Sequence, residues 1–186
     1  MQSFNLTNHF LIAMPQLEDP NFARSVTYIC VHNEDGAMGI MVNRPLAMAL
    51  GEVLSQVDVK PDIAAIAERQ VYCGGPIHTD RGFVLHRPPQ AWQSSIVVTP
   101  QVAVCTSRDI LEAMARGDEP HDALVALGYA GWSAGQLEAE IAQNAWLSGP
   151  ADLDIVFKAP AEQRWQRAAA LLGIDVHYLS HDVGHA

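Results

Sequence analysis

Residues 127–147, LGYAGWSAGQLEAEIAQNAWL, fit two different kinds of fold. Within them, Gly131-Trp132-Ser133-Ala134-Gly135 matches G-x-S-x-G, the turn on which an α/β-hydrolase presents a nucleophilic serine between a strand and a helix. The same residues read equally as a helix start. Ser133 with Gln136 three positions on is a capping box: the serine oxygen accepts the N–H of the third helical residue while the glutamine reaches back to the serine N–H. Trp132 just before the cap and Leu137 at the fourth helical position make a hydrophobic staple. Glu138 and Glu140 put negative charge in the first two turns, where the helix dipole favours it. A serine holding a backbone N–H cannot also be a base-activated nucleophile, so the readings exclude each other.

The rest of the chain favours the cap. Asp152, Asp154 and Asp175, then His177, His181 and His185, supply the Ser, Asp, His order of a hydrolase. Only 53 residues follow Ser133, however, cramped for the parallel strands and crossovers that would deliver an acid and a histidine. An elbow also needs regular strand and helix alternation, whereas the first hundred residues read mostly as strands: 10–14, 26–32, 38–42, 71–73, 82–86 and 94–99. Asp35-Gly36 marks a hairpin whose loop looks longer than two residues. Further strands are expected at 102–105, 123–130 and 153–157, with a short extended segment at 176–179.

Helices are expected where apolar residues fall at helical spacing. One carries Leu50, Val53, Leu54 and Val57; a second opens at Thr106 with Asp109, buries Ile110, Leu111 and Met114, and ends at a left-handed Gly117. A third spans 134–147, and a fourth starts at Pro160 and carries Trp165, Ala168, Ala169 and Leu172. Residues 60–70 read as a loop with some helix. Hairpin strands with interspersed helices indicate an α+β fold with a largely antiparallel or mixed sheet, in one domain spanning 1–186.

Composition narrows the function. Eleven Lys and Arg stand against 21 Asp and Glu, a formal net charge of −10 with no basic cluster, which disfavours direct nucleic-acid binding. Cys30, Cys73 and Cys105 are far apart and odd in number, arguing against a disulfide framework or thiolate zinc site. They read as reduced thiols, Cys73 beside the Gly74-Gly75-Pro76 turn being the one placed for exposure. With no basic leader and no apolar run of membrane-spanning length, the expectation is a cytoplasmic protein without membrane insertion. His177, His181 and His185 recur every fourth residue, but Gly184 and the extended look of the segment make a tail a better reading than a metal site. No cofactor motif is present: Gly74-Gly75-Pro76 lacks both a P-loop lysine and a dinucleotide third glycine, though such a turn can cradle an anion. Asn43-Arg44 before Pro45 is the most pointed feature, a bidentate cation on extended chain poised for a carboxylate or phosphate. Arg24 and Arg81 are similar candidates, and an internal ion pair is the competing reading.

FLIAMP, DPNF, GAMGIMVNRP, YCGGP, TDRGFVLH, the 127–147 stretch and the terminal GHA together resemble the YqgE/AlgH family of bacterial proteins, in the family's order over essentially the whole chain. The resemblance implies an α+β fold whose bifurcated sheet bends into a pseudo-barrel flanked by helices. It implies no established enzymatic activity, and the AlgH label reflects a proposed role in regulating alginate synthesis. The family does not require serine at position 133. Asn43, Arg44, Pro45, Gly74, Gly75, Pro76, Arg81, Gly131, Trp132, Gln136, Glu140, Asn144 and Trp146 occupy its signature positions, with roles unassigned. The expectation is a non-enzymatic regulatory or binding protein whose surface for an unidentified protein or small-molecule partner combines Asn43, Arg44, Pro45, Gly74, Gly75, Pro76, Arg81 and Gln136. The alternatives are a small serine hydrolase using Ser133, or a nucleotide or phosphometabolite sensor.

Overall fold

The computed structural model describes residues 4–118 and 120–179. In chain order the elements are β1 (His9–Ala13), β2 (Val26–Asn33), β3 (Gly36–Met41), β4 (Pro45–Ala49), α1 (Leu50–Gln56), α2 (Ala64–Ala67), β5 (Gln70–Cys73), β6 (Ile77–Arg87), β7 (Ser95–Thr99) and β8 (Val102–Cys105). They continue through α3 (Arg108–Arg116), β9 (Asp122–Ser133), α4 (Gln136–Ala142), β10 (Trp146–Pro150), α5 (Leu153–Phe157), α6 (Ala161–Ala170) and α7 (Val176–Leu179). The α+β class with a mixed, largely antiparallel sheet is as expected. Chain contacts define two units, Met1–Asn43 with Ala130–Ala186, and Arg44–Tyr129. No helix among the described residues is long and apolar enough to cross a membrane.

In the first unit, β10, β1, β2, β3 and the last four residues of β9 pair antiparallel in that order. Asn33 faces Gly36, so the Asp35-Gly36 hairpin loop is two residues, shorter than expected. Gly36 is required there: its φ is 135°, and a Cβ would lie 2.1 Å from the Trp132 carbonyl oxygen. Leu11, Ile29 and Leu137 join Trp132 and Trp146 in this unit's core.

In the second unit the order is β4, β5, the first half of β9, β6, β8, β7, with β5 parallel to β9 and the other pairs antiparallel. Leu50 and Leu54 of α1 and Ile110 and Met114 of α3 are fully buried against Val71, Val84 and Val125. Burying each such side chain contributes about 1.5–3 kcal/mol. Gly117 closes α3 in the left-handed region (φ 81°), as its place after the apolar face predicts. The residue flanking the α3 start is Ser107 instead of Thr106, whose hydroxyl pairs with Ser94 at 2.8 Å.

Three expectations are corrected. Residues 153–157 are the helix α5, not a strand: Asp152 accepts the Asp154 N–H at 2.9 Å, and this cap outweighs a short apolar run that fits either period. Residues 176–179 form the one-turn helix α7, with Asp175 accepting the His177 N–H at 2.9 Å. The helix expected over 134–147 ends at Ala142, because Asn144 turns left-handed (φ 58°) and Trp146 begins β10, whose partner β1 is more than a hundred residues earlier. Strand β4 was not expected: Pro45 sits at its first residue, where a missing N–H is tolerated.

Candidate functional site

Strand β9 delivers Ser133 to its exposed end, Ala134 and a left-handed Gly135 (φ 74°) turn the chain, and α4 begins at Gln136. The residue flanking this helix is Gly135, not Ser133, which corrects the capping box. Half of the box survives: the Ser133 N–H donates to Gln136 Oε1 at 3.0 Å. The serine hydroxyl donates to the same oxygen at 3.2 Å instead of accepting a helical N–H. The staple is present in substance, since Trp132 and Leu137 are buried in one cluster.

Glu140 holds this segment together. Its Oε2 accepts both indole N–H groups, from Trp132 at 2.9 Å and Trp146 at 2.8 Å, while Oε1 accepts Gln136 Nε2 at 3.0 Å. The two indoles meet edge to face at 6.1 Å, and Phe22 lies against both, at 6.2 and 5.4 Å. Gln136, Glu140, Trp132 and Trp146 are therefore one network, each member satisfying another. The sequence shows Glu140 as a carboxylate in the first two helical turns but not that it would receive two tryptophans, because one of them comes from the unforeseen β10.

His32, also missed, is 5% exposed. Its Nδ1 accepts the Leu6 N–H at 2.9 Å, which places the ring proton on Nε2, and Nε2 donates to Glu138 Oε1 at 2.7 Å. Glu138's own backbone N–H, with His32, holds its carboxyl below the usual range. Neither nitrogen is left to serve as a base.

Elsewhere in the first unit, Asn43 Oδ1 accepts the Val26 N–H at 2.8 Å and its Nδ2 donates to the Arg24 carbonyl at 2.9 Å. The Arg24 guanidinium stacks over Trp165 at 5.7 Å. The buried Arg164 donates to the carbonyls of Ala159, at 3.0 Å, and Val42. Its role had no sequence signal beyond an arginine among the helix's small residues.

In the second unit, the Arg44 carbonyl accepts the Cys73 N–H at 2.8 Å and Pro45 pairs with Tyr72, which brings Arg44 beside the Gly74 to Pro76 turn. Gly74 and Gly75 are buried and Pro76 is exposed. Gly74's N–H donates to the Leu127 carbonyl at 2.8 Å, and a Cβ on Gly74 would lie 2.3 Å from the Gly128 carbonyl oxygen. The glycine is thus fixed by close packing on β9. Cys73 is half-buried, Cys30 and Cys105 are buried, and all three are free thiols. Arg81 is exposed on β6. Gln136 belongs with Asn43 to the first unit, and Arg44, Pro45, Gly74, Gly75, Pro76 and Arg81 to the second. His177 is exposed beside Gln166, at 2.5 Å, while His181 and His185 lie outside the described residues. Among the described residues no cluster of three metal-ligating side chains occurs.

The sequence pattern of the AlgH-like family matches residues 10–177. A UPF0301 protein of Thioalkalivibrio sulfidiphilus is 64% identical over 99% of this chain and 98% of its own length. One from Nitrosococcus oceani is 54% identical over 96% of both chains. The solution structure of the AlgH protein from Pseudomonas aeruginosa is 48% identical with a TM-score of 0.82, covering 100% of this chain and 98% of that one. A crystal structure of a Corynebacterium diphtheriae protein, 20% identical over 97% of this chain and 94% of that one, shares the fold with a TM-score of 0.74.

Proposed function

The chain belongs to the AlgH-like family, and from that premise we propose that it is a cytoplasmic, non-enzymatic regulatory or binding protein in a single functional domain. Its working surface combines Arg44, Pro45, Gly74, Gly75, Pro76 and Arg81, all of the Arg44–Tyr129 unit. The observation that carries this reading is the β4 to β5 pairing, which sets an arginine beside a glycine turn. An arginine fork suits a carboxylate or phosphate, so an acidic protein segment or a phosphorylated metabolite is the class of partner. Any part in transcriptional regulation is indirect, since a net charge of −10 repels a nucleic-acid backbone.

Affinity capture on the tagged full chain tests the surface. Arg44→Ala and Arg81→Ala should each lose a specifically captured protein or a nucleotide-type ligand that raises the melting temperature. Retention of every partner and ligand by both variants removes the assignment.

A second reading, a small serine hydrolase, is favoured by one observation: Ser133 is exposed at a strand-to-helix turn. Against it, the hydroxyl and N–H of Ser133 both engage Gln136. A covalent fluorophosphonate adduct on Ser133, lost in Ser133→Ala, would replace the first reading with the second.

A further inference from the structure

A small cleft of about 150 Å³ opens within the Arg44–Tyr129 unit. Its floor is the buried Val84, Cys105 and Val125, and Gly82, Ser107 and Arg108 frame its opening. Gly82 is what leaves it empty. Gly74 and Gly128 in the same unit are glycines because a Cβ would strike a carbonyl at 2.3 Å, and Gly117 because of its left-handed φ. A Cβ on Gly82 would meet nothing within 4 Å, so neither packing nor backbone conformation calls for glycine there. Gly82 pairs with Leu127 and Val84 with Val125, and the alternation along β6 turns the missing side chain toward the same face as Val84, into the cleft.

The lining defines the ligand. Val53, Val84, Leu111 and Val125 offer apolar surface, and an apolar cavity near 150 Å³ takes up a molecule of benzene's size. The polar rim is already neutralised: Arg108 pairs with Glu112 at 2.9 Å, and the Asp109 carboxylate accepts from Ser107 Oγ at 2.5 Å and from the Gln93 N–H at 2.8 Å. Burial, with Asp109 nearby, pushes the Cys105 thiol up, so it is neutral at pH 7. A carboxylate at the first turn of α3 repels an anionic ligand, and the paired arginine offers no cationic attraction.

We infer that this cleft binds a small, uncharged, mainly apolar molecule about the size of one ring, with a single polar group at the rim meeting the Ser107 hydroxyl, which lies 3.2 Å from the Cys105 sulfur on the floor. The inference is independent of the Arg44 surface. Titrating the intact, isotopically labelled chain with benzene and with phenol tests it by amide chemical shifts. Saturable shifts confined to Gly82, Val84, Cys105, Ser107 and their neighbours are expected, with phenol the tighter. Gly82→Leu fills the space and should weaken binding about tenfold or more while keeping the melting temperature. If that variant fails to fold, Gly82→Ala, which meets no obstacle, should still weaken benzene binding measurably. Absence of saturable shifts in the natural chain, or equal binding by the filled variant, overturns the inference.

Discussion

Replacing Glu140 with alanine removes the acceptor for two tryptophan N–H groups at once. Trp132 and Trp146 are 5% and 4% exposed, so their indoles have little access to replacement water. Leaving a buried donor unsatisfied costs about 1–3 kcal/mol. Glu140 itself is half-buried, so some water can enter from its outer side, and the lower part of that range applies to each indole. The expected destabilisation of Glu140→Ala is about 2–4 kcal/mol, or about 4–16 °C in melting temperature for a chain of this size. Glu140→Gln keeps a carbonyl oxygen for the indoles but loses the charge assistance and the acceptor for Gln136 Nε2, together about 1–2 kcal/mol. Urea unfolding gives the free energies, and near-UV circular dichroism reports the loss of fixed tryptophan packing. A Glu140→Ala variant within about 0.5 kcal/mol of the natural chain, with its tryptophan signal intact, would refute the reasoning.

Gly74→Ala should destabilise by about 1–3 kcal/mol, since its Cβ meets a backbone carbonyl that cannot move aside; an unchanged urea midpoint contradicts this. His86 is fully buried, its Nδ1 donating to the Pro88 carbonyl at 3.1 Å and its Nε2 having no partner among the described residues. Burial lowers its pKa from the ordinary 6.5, so below that pH the unfolded chain binds the proton that the folded chain refuses. Its contribution to stability is present above about pH 6.5 and is lost as pH falls, by up to about 1.4 kcal/mol per unit. His86→Phe should flatten the pH slope of unfolding below pH 6.5, and an identical slope in the variant rules this out.

The antiparallel core was legible because its strands are apolar runs bounded by turn chemistry, as at Asp35-Gly36, and because Ile110, Leu111 and Met114 keep a helical period that Gly117 ends. Strand β10 was not legible: Trp146 and Leu147 continue the apolar pattern of α4, and what separates them is a left-handed Asn144 and pairing with a distant β1. Residues 153–157 failed for a related reason, five apolar-rich residues being compatible with either period until Asp152 caps them. At the site, the Ser133 to Gln136 spacing correctly announced that the glutamine would accept the serine N–H, but not that the hydroxyl would donate to the same oxygen, because Gly135 took the flanking position. Arg44 beside Gly74 depended on β4, which Pro45 concealed.

The G-x-S-x-G segment anchors two tryptophans on Glu140, with Gln136 linking that carboxylate to Ser133, and we propose that Ser133 is no nucleophile. Intact-mass analysis of the purified chain after incubation with a fluorophosphonate tests it most directly. An unmodified mass is expected for both the natural chain and Ser133→Ala. A stoichiometric adduct on Ser133, absent from Ser133→Ala, would contradict it.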